Sequence, residues 1–532
     1  MLRPDNDQIA RRYHELDELE ASGVVAYPYS FDKTHDAAAA RSAFQDDTAR
    51  FDVAIAGRIV AIRRMGKASF AHIQDESGRI QAYLKKDDLA NYDSLRLFDI
   101  GDIIGVTGYM FRTRTGEVSV HAESLTLLAK CLIPIPVPKE ETDEEGNKVV
   151  HDQFSDKELR YRQRYLDLTV NPDVRDAFVK RAKMITTVRR YLDNHGLIEV
   201  ETPVLHQMYG GAAARPFASH LNALDIPLYL RISLELNLKR LLVGGFEGVY
   251  ELGKNFRNEG IDKTHNPEFT MLEFYVAYKD YTWMMTFVEG LLTETIMATT
   301  GSLKVQTTAG EIDFTPPYRR ATMLDLVREH TGVDVEAASD EELASVARTN
   351  GITVDKTMGR AKILDEIFSE KVQPTLIQPI FVMDFPVEMV PLAKRHRDKP
   401  ALVEAFELIV NGTEIGPGFS ELNDPRDQRT RLEEQSKLRD AGDDEAMLID
   451  EDFLHALSVG MPPAAGVGIG IDRLALLLTG NDSIRDVIFF PMMRPAKGIE
   501  GSGSEGPSES RNSESLDSSV TNQQKVTGGM HE

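Results

Sequence analysis

The spacing of apolar residues predicts a helix close to the N-terminal end of the chain. Ile9, Tyr13, Leu16 and Leu19 recur at helical intervals, and Gly23 follows as a stop signal. Residues 5–22 are therefore predicted to form an amphipathic helix.

Residues 53–127 show a different pattern, in which short β-type runs are separated by turn residues. Turns are predicted at Glu76-Ser77-Gly78 and at Thr115-Gly116. About five strands in roughly 75 residues are typical of a small closed barrel such as an OB-fold.

The remaining chain is predicted to form a larger mixed domain. Pro134, Pro136 and Pro138 precede an acidic, apolar-poor stretch, which is typical of a linker or exposed loop. Helices then alternate with strands, and the Gly/Ser-rich tail has too few apolar residues to fold. We predict an α+β protein divided into an N-terminal helix and lead-in (1–50), an OB-fold domain (51–132), a linker with an acidic insertion (133–158), the mixed domain (159–497) and a disordered tail (498–532).

Composition narrows the class of protein. The hydrophobic fraction is 42% and the charged fraction 27%, as in an ordinary globular protein. No run of eighteen apolar residues suggests a membrane span, and the polar N-terminus does not resemble a secretory signal. Cys131 is the single cysteine, which excludes an internal disulfide and fits a reducing cytoplasm. We expect a cytoplasmic protein with no membrane partner.

The net charge of −24 argues against a nucleic-acid binder, but its distribution weakens that argument. Residues 51–130 contain eleven Lys and Arg against ten Asp and Glu, so the predicted barrel is close to neutral. A local basic patch on this domain could still bind RNA.

The segment 256–275, FRNEGIDKTHNPEFTMLEFY, carries the densest candidate chemistry. A polar loop rich in Arg, His, Asn and Glu lies between two predicted strands, and Glu273 and Tyr275 share a strand face. Arg257 offers the planar fork that binds phosphate oxygens, and Phe269 offers a ring for a purine. A solvated loop is the alternative for Arg257 considered alone.

A second candidate is the predicted hairpin around Asn411-Gly412, a strong signal for a two-residue type I′ turn. This turn predicts that Ile409 pairs with Glu414 and Glu407 with Gly416. Glu407 and Glu414 would then be diagonal neighbours on one face, close enough to bind Mg²⁺ together. An exposed acidic hairpin is the alternative interpretation of this pair.

A third candidate is GVGIGIDRLALLL, from Gly466 to Leu478. Glycines at alternate positions allow close approach of a backbone or ligand, and Asp472 and Arg473 then open a helix. The spacing is not that of a dinucleotide site or a P-loop. An arginine is unfavourable at a helix start, which suggests that Arg473 serves a ligand such as a terminal phosphate.

Together these segments resemble the three signatures of class II aminoacyl-tRNA synthetases. A helix and strand end at Pro203, the FRNE strand–loop–strand contains Arg257, and the glycine-rich strand–helix ends at Arg473. Within the class, four segments resemble the sequences of the bacterial lysyl enzymes: RYRQRYLDL (160–168), GGAAARPF (210–217), THNPEFT (264–270) and GFSELND (418–424). The resemblance covers about residues 51–495 and implies a class II antiparallel-sheet catalytic domain behind an OB-fold domain.

The resemblance also implies roles for individual residues. Arg257 and Arg473 would be catalytic, on the ATP α- and γ-phosphates. The remaining assignments are Glu259, His265, Asn266 and Phe269 for ATP; Glu407 and Glu414 for Mg²⁺; Gly211, Glu235, Glu273, Tyr275 and Glu421 for lysine; and Arg63, Phe70, Gln81 and Glu117 for the tRNA anticodon.

The resemblance implies that the protein ligates lysine to tRNA(Lys) through lysyl-adenylate, with ATP and Mg²⁺, as a homodimer. A buried ammonium needs paired carboxylates, so the three pocket glutamates favour lysine over aspartate or asparagine. Another amino acid, a protein substrate in place of tRNA, and a non-catalytic tRNA-binding module are the alternatives. The barrel argues against the second, and the intact ATP residues argue against the third.

The sequence departs from the family pattern in three places. Pro417 stands where an asparagine is usual, so a substrate contact is expected to be lost or replaced. Ser233-Leu234 replace the commoner Ala-Pro beside the pocket. The acidic insertion around 140–150 and the tail after 498 have no assigned counterpart.

Overall fold

The computed structural model describes residues 6–46, 49–137, 139–142, 148–151, 154–355, 358–440 and 446–495. The chain divides into a large compact unit, residues 1–491, and a second unit, residues 492–532, of which only 492–495 are described. The predicted disordered tail from 498 onward lies outside the described residues. No described helix is both long and apolar enough to cross a membrane.

The N-terminal part begins with two helices that pack on a five-stranded barrel. The helices are α1 (Asp7–Ala21) and α2 (Ala37–Ala43), and the strands are β1 (Asp52–Met65), β2 (Ala68–Gln74), β3 (Arg79–Lys85), β4 (Ile103–Arg112) and β5 (Val118–Ala129). The barrel closes in the order β1-β2-β3-β5-β4, as expected of an OB-fold. Leu19 of α1 is buried in the same apolar cluster as the barrel interior, and the predicted N-terminal helix is confirmed.

The acidic insertion contains a short antiparallel pair, and a helical segment leads from it into the large domain. These elements are β6 (Lys139–Thr142), β7 (Lys148–His151), α3 (Lys157–Arg162), α4 (Arg164–Val170) and α5 (Pro172–Asn194). Helix α5 ends before Gly196, whose φ of +81° is the left-handed conformation that glycine adopts at a helix C-terminus.

The large domain is built on an eight-stranded sheet. Its elements continue as β8 (Ile198–Glu199), β9 (Leu205–His206), β10 (Ala218–Leu221), β11 (Ile226–Leu230), α6 (Glu235–Val243), β12 (Gly248–Phe256), β13 (Glu268–Ala277), α7 (Tyr281–Thr300), β14 (Lys304–Thr307), β15 (Gly310–Asp313), β16 (Arg319–Thr322), α8 (Met323–Thr331), α9 (Asp340–Thr349), α10 (Arg360–Ile367), β17 (Ile380–Met383), β18 (Ala405–Val410), β19 (Thr413–Ser420), α11 (Pro425–Asp440), α12 (Glu451–Gly460), β20 (Ala464–Gly470) and α13 (Ile471–Thr479).

The sheet order is β16-β17-β18-β19-β20-β13-β12-β8. The inner pairs from β17 to β12 are antiparallel, and only the outermost pairs, β16–β17 and β12–β8, are parallel. Helices α5, α7 and α13 bury their apolar sides against one face of this sheet. The predicted α+β class with an antiparallel catalytic sheet is confirmed.

The hairpin β18–β19 confirms the predicted turn but corrects part of its register. Asn411 and Gly412 both have positive φ, as a type I′ turn requires, and Ile409 pairs with Glu414. The prediction that Glu407 pairs with Gly416 is wrong, because one extra residue in β19 forms a bulge and Glu407 instead pairs with Pro417. The two glutamates remain diagonal neighbours on one face.

Candidate functional site

The candidate segments meet on the central strands of the large sheet. Strand β13 lies between β12 and β20, and β20 lies between β13 and the hairpin strand β19. The loop after β12, the acidic hairpin and the start of α13 therefore approach one another from distant parts of the chain. This arrangement forms a single site on the sheet face that α5, α7 and α13 leave uncovered.

The alternate glycines of β20 make room for side chains of β13. Gly466 pairs with Tyr275 and Gly468 with Glu273. A Cβ on Gly466 would lie 2.3 Å from both Oε1 of Glu421 and the Tyr275 ring. The glycine run therefore serves the close approach predicted from its spacing, and the groups that approach are pocket side chains.

Three glutamates form the floor of an acidic pocket beside these glycines. Glu235 begins α6, Glu273 lies in β13 and Glu421 follows β19, and their relative exposures are 7%, 4% and 1%. The hydroxyl of Tyr275 donates to Oε2 of Glu273 over 3.1 Å. The residues that the resemblance assigns to a lysine pocket are thus brought together and buried.

Glu273 is held by donors from a segment that departs from the family pattern. The hydroxyl of Ser233 and the backbone N–H of Leu234 both donate to its Oε1, over 3.2 and 3.0 Å. The commoner Ala-Pro pair has neither donor, because alanine lacks a hydroxyl and proline lacks an N–H. The departure therefore adds two hydrogen bonds to a pocket carboxylate.

Lys239 is a pocket residue that the sequence analysis missed. Its ammonium lies 2.5 Å from Oε1 of Glu235 and 2.5 Å from Oε2 of Glu421, and its side chain is fully buried. The one sequence signal is its position four residues after Glu235, where two helical side chains meet. A lysine on a helix is more often solvated, so this signal alone was weak.

Burial dominates the acid–base behaviour of the pocket. It raises the pKa of Glu273 to about 7, with a further contribution from Glu235. It raises the pKa of Glu421 to about 8, although the Lys239 ammonium acts in the opposite direction. Burial also lowers the pKa of Lys239, but the two flanking carboxylates outweigh it and the net direction is upward. A cation that binds in the pocket therefore stabilises the ionised form of its carboxylates.

The unsatisfied groups of the pocket fit an ammonium ligand. Both oxygens of Glu421 are buried, and neither has a well-aligned hydrogen-bond donor among the described residues, although Oε2 has the Lys239 ion pair. A buried carboxylate oxygen without a donor is costly unless a ligand supplies one. Gly211 lines the same region, since a Cβ there would lie 3.1 Å from Oγ of Ser233 and 3.3 Å from Cβ of Glu235.

The loop after β12 forms the neighbouring part of the site. The Arg257 guanidinium lies 5.2 Å from the centre of the Phe269 ring. Its Nε is buried without a hydrogen-bond partner in the described part of the chain, and burial lowers its pKa. Asn266 is 9% exposed and its Oδ1 also has no partner among the described residues, whereas Glu259 is exposed. An anionic ligand would accept a hydrogen bond from the unpaired Nε of Arg257.

Arg473 joins this loop to the acidic hairpin. Its Nη1 donates to the Glu414 carbonyl oxygen over 3.0 Å, and its Nη2 lies 3.1 Å from Nε2 of His265. His265 is in turn 2.8 Å from Asp262. The structure therefore brings together Arg473, His265 and Glu414, which the sequence separates by as many as 208 positions.

The hairpin carboxylates offer part of a cation site. Burial raises the pKa of Glu407 well above its usual range, and the adjacent Glu414 raises it further. A divalent cation would remove this cost, and oxygen ligands suit Mg²⁺. Over the described ranges no group of three or more His, Cys, Asp or Glu side chains could hold a metal. Two carboxylates fit an ion that takes its other ligands from phosphate and water.

A buried ion pair positions the helix that carries Arg473, and the sequence analysis did not identify it. Oδ1 of Asp472 lies 2.6 Å from Nη1 of Arg181 on α5, and its Oδ2 accepts a hydrogen bond from the backbone N–H of Thr270 in β13. Asp472 thereby connects α13 to α5 and to the central strand. The position of Arg473 depends on this connection.

Of the four barrel residues expected to contact tRNA, Arg63, Phe70 and Gln81 lie on the neighbouring strands β1, β2 and β3, and Glu117 immediately precedes β5. Arg63 pairs with Phe70 across β1–β2, and both are at least partly exposed. Gln81 is 8% exposed, donates to Oε2 of Glu117 over 2.8 Å and accepts from the Ser119 hydroxyl over 3.0 Å. These two hydrogen bonds fix the orientation of the Gln81 amide on this face.

The same face contains two residues that the sequence analysis did not select. Tyr83 pairs with Phe70, with ring centres 5.1 Å apart. His72 pairs with Gln81, and its Nε2 lies 3.3 Å from Oε1 of Glu117. Period-two alternation from Phe70 and Gln81 was the signal that could have found both.

Comparison with known proteins agrees with this architecture. Residues 156–494 match the family described as tRNA synthetases class II (D, K and N), and residues 53–128 match the OB-fold nucleic acid binding domain. Lysine–tRNA ligases from two strains of Porphyromonas gingivalis are each 50% identical over 508 residues, which span 93% of this chain and 87% of theirs. A lysine–tRNA ligase from Christiangramia forsetii is 51% identical over 502 residues, with the same coverage.

The family matches and the relatives agree on both domains, and they span most of the chain. The two family ranges lie on the barrel and on the large sheet domain, as the sequence motifs predicted. This chain belongs to the class II tRNA synthetases of the D, K and N group and, within it, to the lysine–tRNA ligase family.

Proposed function

We propose that this protein activates L-lysine with ATP and then transfers the lysyl group to the 3′ end of tRNA(Lys). The observation that carries the proposal is the buried pocket of Glu235, Glu273 and Glu421, in which Glu421 has no well-aligned donor among the described residues. An aspartate side chain would bring a fourth carboxylate into this pocket, and an asparagine side chain would bring no cation to the carboxylates.

The site supports activation by positioning and charge stabilisation. The lysine carboxylate attacks the α-phosphorus of ATP; an oxygen–phosphorus bond forms, the bond to the β-phosphate bridge breaks, and pyrophosphate leaves. Arg257 is proposed to stabilise the charge that develops on the α-phosphate. Its buried Nε has no hydrogen-bond partner among the described residues and is available to a nucleotide oxygen.

Other residues are proposed to hold the remainder of ATP. Glu259, His265 and Asn266 belong to the same loop, and Arg473 would bind the terminal phosphate. Glu407 and Glu414 would hold Mg²⁺, which supplies neutralisation of the triphosphate charge when bound. Gly211, Glu235, Glu273, Tyr275 and Glu421 would enclose lysine.

The transfer step is proposed to use the barrel for tRNA selection. A terminal ribose hydroxyl of tRNA attacks the lysyl carbonyl, an ester bond forms and AMP leaves. Arg63, Phe70, Gln81 and Glu117 would contact the anticodon, and the aromatic face of the barrel suits single-stranded bases. This division assigns residues 51–132 to tRNA binding and 159–497 to catalysis.

We further propose a cytoplasmic homodimer. Exposed apolar side chains near the first signature support a second copy as partner, because Val179 of α5 and Ile198 of β8 are each more than half exposed. The free thiol of Cys131 fits a reducing compartment. Light scattering on the full chain would test the dimer, and a monomer at micromolar concentration would contradict it.

Amino-acid-dependent exchange of pyrophosphate into ATP tests the proposed activity. We expect exchange with lysine alone among the twenty amino acids; exchange with aspartate in its place would overturn the assignment. Glu421→Gln should raise the KM for lysine by about 10- to 100-fold with little change in the KM for ATP, because it removes a charged partner of the ammonium. Glu247→Gln, at an exposed glutamate, is the matched control.

A further inference from the structure

The acidic pocket contains an ammonium that belongs to the protein. Lys239 projects from α6 between Glu235 and Glu421, at 2.5 Å from each, and its ammonium lies 5.3 Å from the centre of the Phe419 ring. Its side chain is fully buried. A charged amine in such a place is expensive unless carboxylates surround it, so its presence beside a site for another ammonium needs an explanation.

The charges of the pocket and of free lysine suggest one. Three glutamates contribute three negative charges when ionised, and Lys239 cancels one of them. Free lysine brings two ammonium groups, and its carboxylate would be paired with a cation outside the three glutamates, for which Arg257, electrostatically coupled to Glu273, is the candidate. Two remaining carboxylate charges match two substrate ammonium groups. Without Lys239, one carboxylate charge would be left over after lysine binds.

We propose that Lys239 is a counter-ion and positioning residue of the amino-acid site, which favours the ionised form of Glu235 and Glu421 and orients both carboxylates for the substrate. This inference rests on the proposed function and extends it to a residue that contacts the pocket carboxylates. Lys239 orients its partners by binding one oxygen of Glu235 and one of Glu421. The second oxygen of Glu421 remains without a partner among the described residues and is available to lysine.

A competing role for Lys239 would be that of an internal substrate mimic that must leave before lysine binds. The geometry favours a fixed counter-ion. Lys239 has no exposed side-chain surface, and the Phe419 ring and both carboxylates enclose its ammonium. Withdrawing it would leave an unpaired ammonium in the interior.

Among the described residues, the Lys239 ammonium contacts the carboxylates of Glu235 and Glu421, and the other titratable groups of the pocket are Glu273 and Tyr275. Glu235 lies on α6, Glu273 and Tyr275 lie on β13, and Glu421 follows β19. Burial raises the pKa of Glu421, and Lys239 holds it down. Replacing Lys239 with a neutral residue should therefore raise the pKa of Glu421 further, so that lysine must displace a proton from Glu421 up to a higher pH than in the wild type.

The test is calorimetric titration of lysine into the full chain at pH 7.0 and 8.5, in buffers of different ionisation enthalpy. For Lys239→Met we expect lysine affinity at least about 10-fold below wild type at pH 7.0 and a smaller deficit at pH 8.5. We expect additional proton release at pH 8.5, where wild-type Glu421, with a pKa of about 8, is mostly ionised and Glu421 of the variant is not. Lys239→Arg keeps the charge and should retain the wild-type proton release. Comparison at equal pH cancels the titration of lysine itself.

Three outcomes would overturn the inference. Tighter lysine binding by Lys239→Met would indicate a substrate mimic, and an equal deficit at both pH values without extra proton release would indicate a packing role. If Lys239→Met does not fold, Lys239→Arg supplies the test, because that variant keeps the charge. A shift of the pH dependence of lysine binding to higher pH in Lys239→Arg would then overturn the inference. Failure of the wild type to bind lysine would instead overturn the proposed function, so the two failures are distinguishable.

Discussion

Ser233 and Leu234 change how a buried carboxylate is held beside the substrate site. Both donate to Oε1 of Glu273, while Tyr275 donates to Oε2. Each hydrogen bond favours the ionised carboxylate, which burial otherwise opposes by raising the pKa to about 7. A carboxylate with a pKa near neutrality is sensitive to the loss of a single donor.

Ser233→Ala should therefore weaken lysine binding. Loss of one hydrogen bond to a buried carboxylate costs about 1–2 kcal/mol, so we expect a KM for lysine roughly 5- to 30-fold higher. The deficit should shrink as pH rises, because deprotonation of Glu273 then no longer limits binding. Pyrophosphate exchange at varied lysine and ATP checks this, with Ser345→Ala on exposed α9 as the control. Equal increases in both KM values would contradict the assignment.

The difference between Glu421 and Lys239 shows what could be predicted at this scale. Glu421 lies in the motif GFSELND, and the residues of this motif are enough to identify Glu421 from the sequence. Lys239 lies on a helix whose buried side depends on how α6 packs against β13 and the segment after β19. Helical spacing alone does not determine which side of α6 faces a pocket, so its role required the fold.

At the scale of elements, the turn of the hairpin could be predicted and its bulge could not. Asn411-Gly412 has a strong local preference for positive φ at both positions, and both are observed. The extra residue in β19 has no comparable local signal, since it depends on pairing with β18 on one side and β20 on the other. Pro417 sits just before the β19–β20 pairing begins, where its missing N–H disrupts no bond of that ladder.

The glycine run of β20 shows a local pattern that acquires its meaning from a neighbouring strand. Alternate glycines indicated close approach, but the approaching groups became known only from the β13–β20 register, which sets Gly466 opposite Tyr275. Small residues here are a requirement of the pocket and not of the strand. This makes β20 sensitive to added volume at Gly466.

Gly466→Ala should therefore narrow the amino-acid pocket. The new methyl group would lie 2.3 Å from Oε1 of Glu421 and from the Tyr275 ring, so both must move. Overpacking of this kind costs about 1–3 kcal/mol, which corresponds to a roughly 5- to 150-fold loss in kcat/KM for lysine. Gly359→Ala is the matched control, because open space surrounds that position. Unchanged lysine kinetics in Gly466→Ala would show that the pocket lies elsewhere.

At the scale of the whole molecule, the N-terminal helix packs against the barrel through both charged and apolar side chains. Arg12 of α1 donates to the carbonyl oxygens of Cys131 and Ile100, and the buried Lys130 ammonium lies 2.7 Å from Asp99. Sequence periodicity predicted the helix, whereas its docking depends on charges about a hundred residues away along the chain. The barrel is thereby held as a rigid support for its aromatic face.

A barrel and a catalytic sheet on one chain predict that tRNA recognition can be impaired separately from amino-acid activation. Phe70 offers a partly exposed ring on β2, and stacking of one base on such a ring contributes about 1–3 kcal/mol. Phe70→Ala should raise the KM for tRNA in lysylation by roughly 5- to 150-fold, while tRNA-independent pyrophosphate exchange stays at the wild-type rate.

The matched control for this prediction is Tyr29→Ala, at a fully exposed aromatic residue between α1 and α2, which should change neither assay. The ring contact of Phe70 with Tyr83 also contributes to packing, so thermal unfolding of each variant must be compared with wild type. A parallel fall in exchange and lysylation would show that Phe70 acts through stability. Unchanged lysylation in a folded variant would show that Phe70 does not contact tRNA.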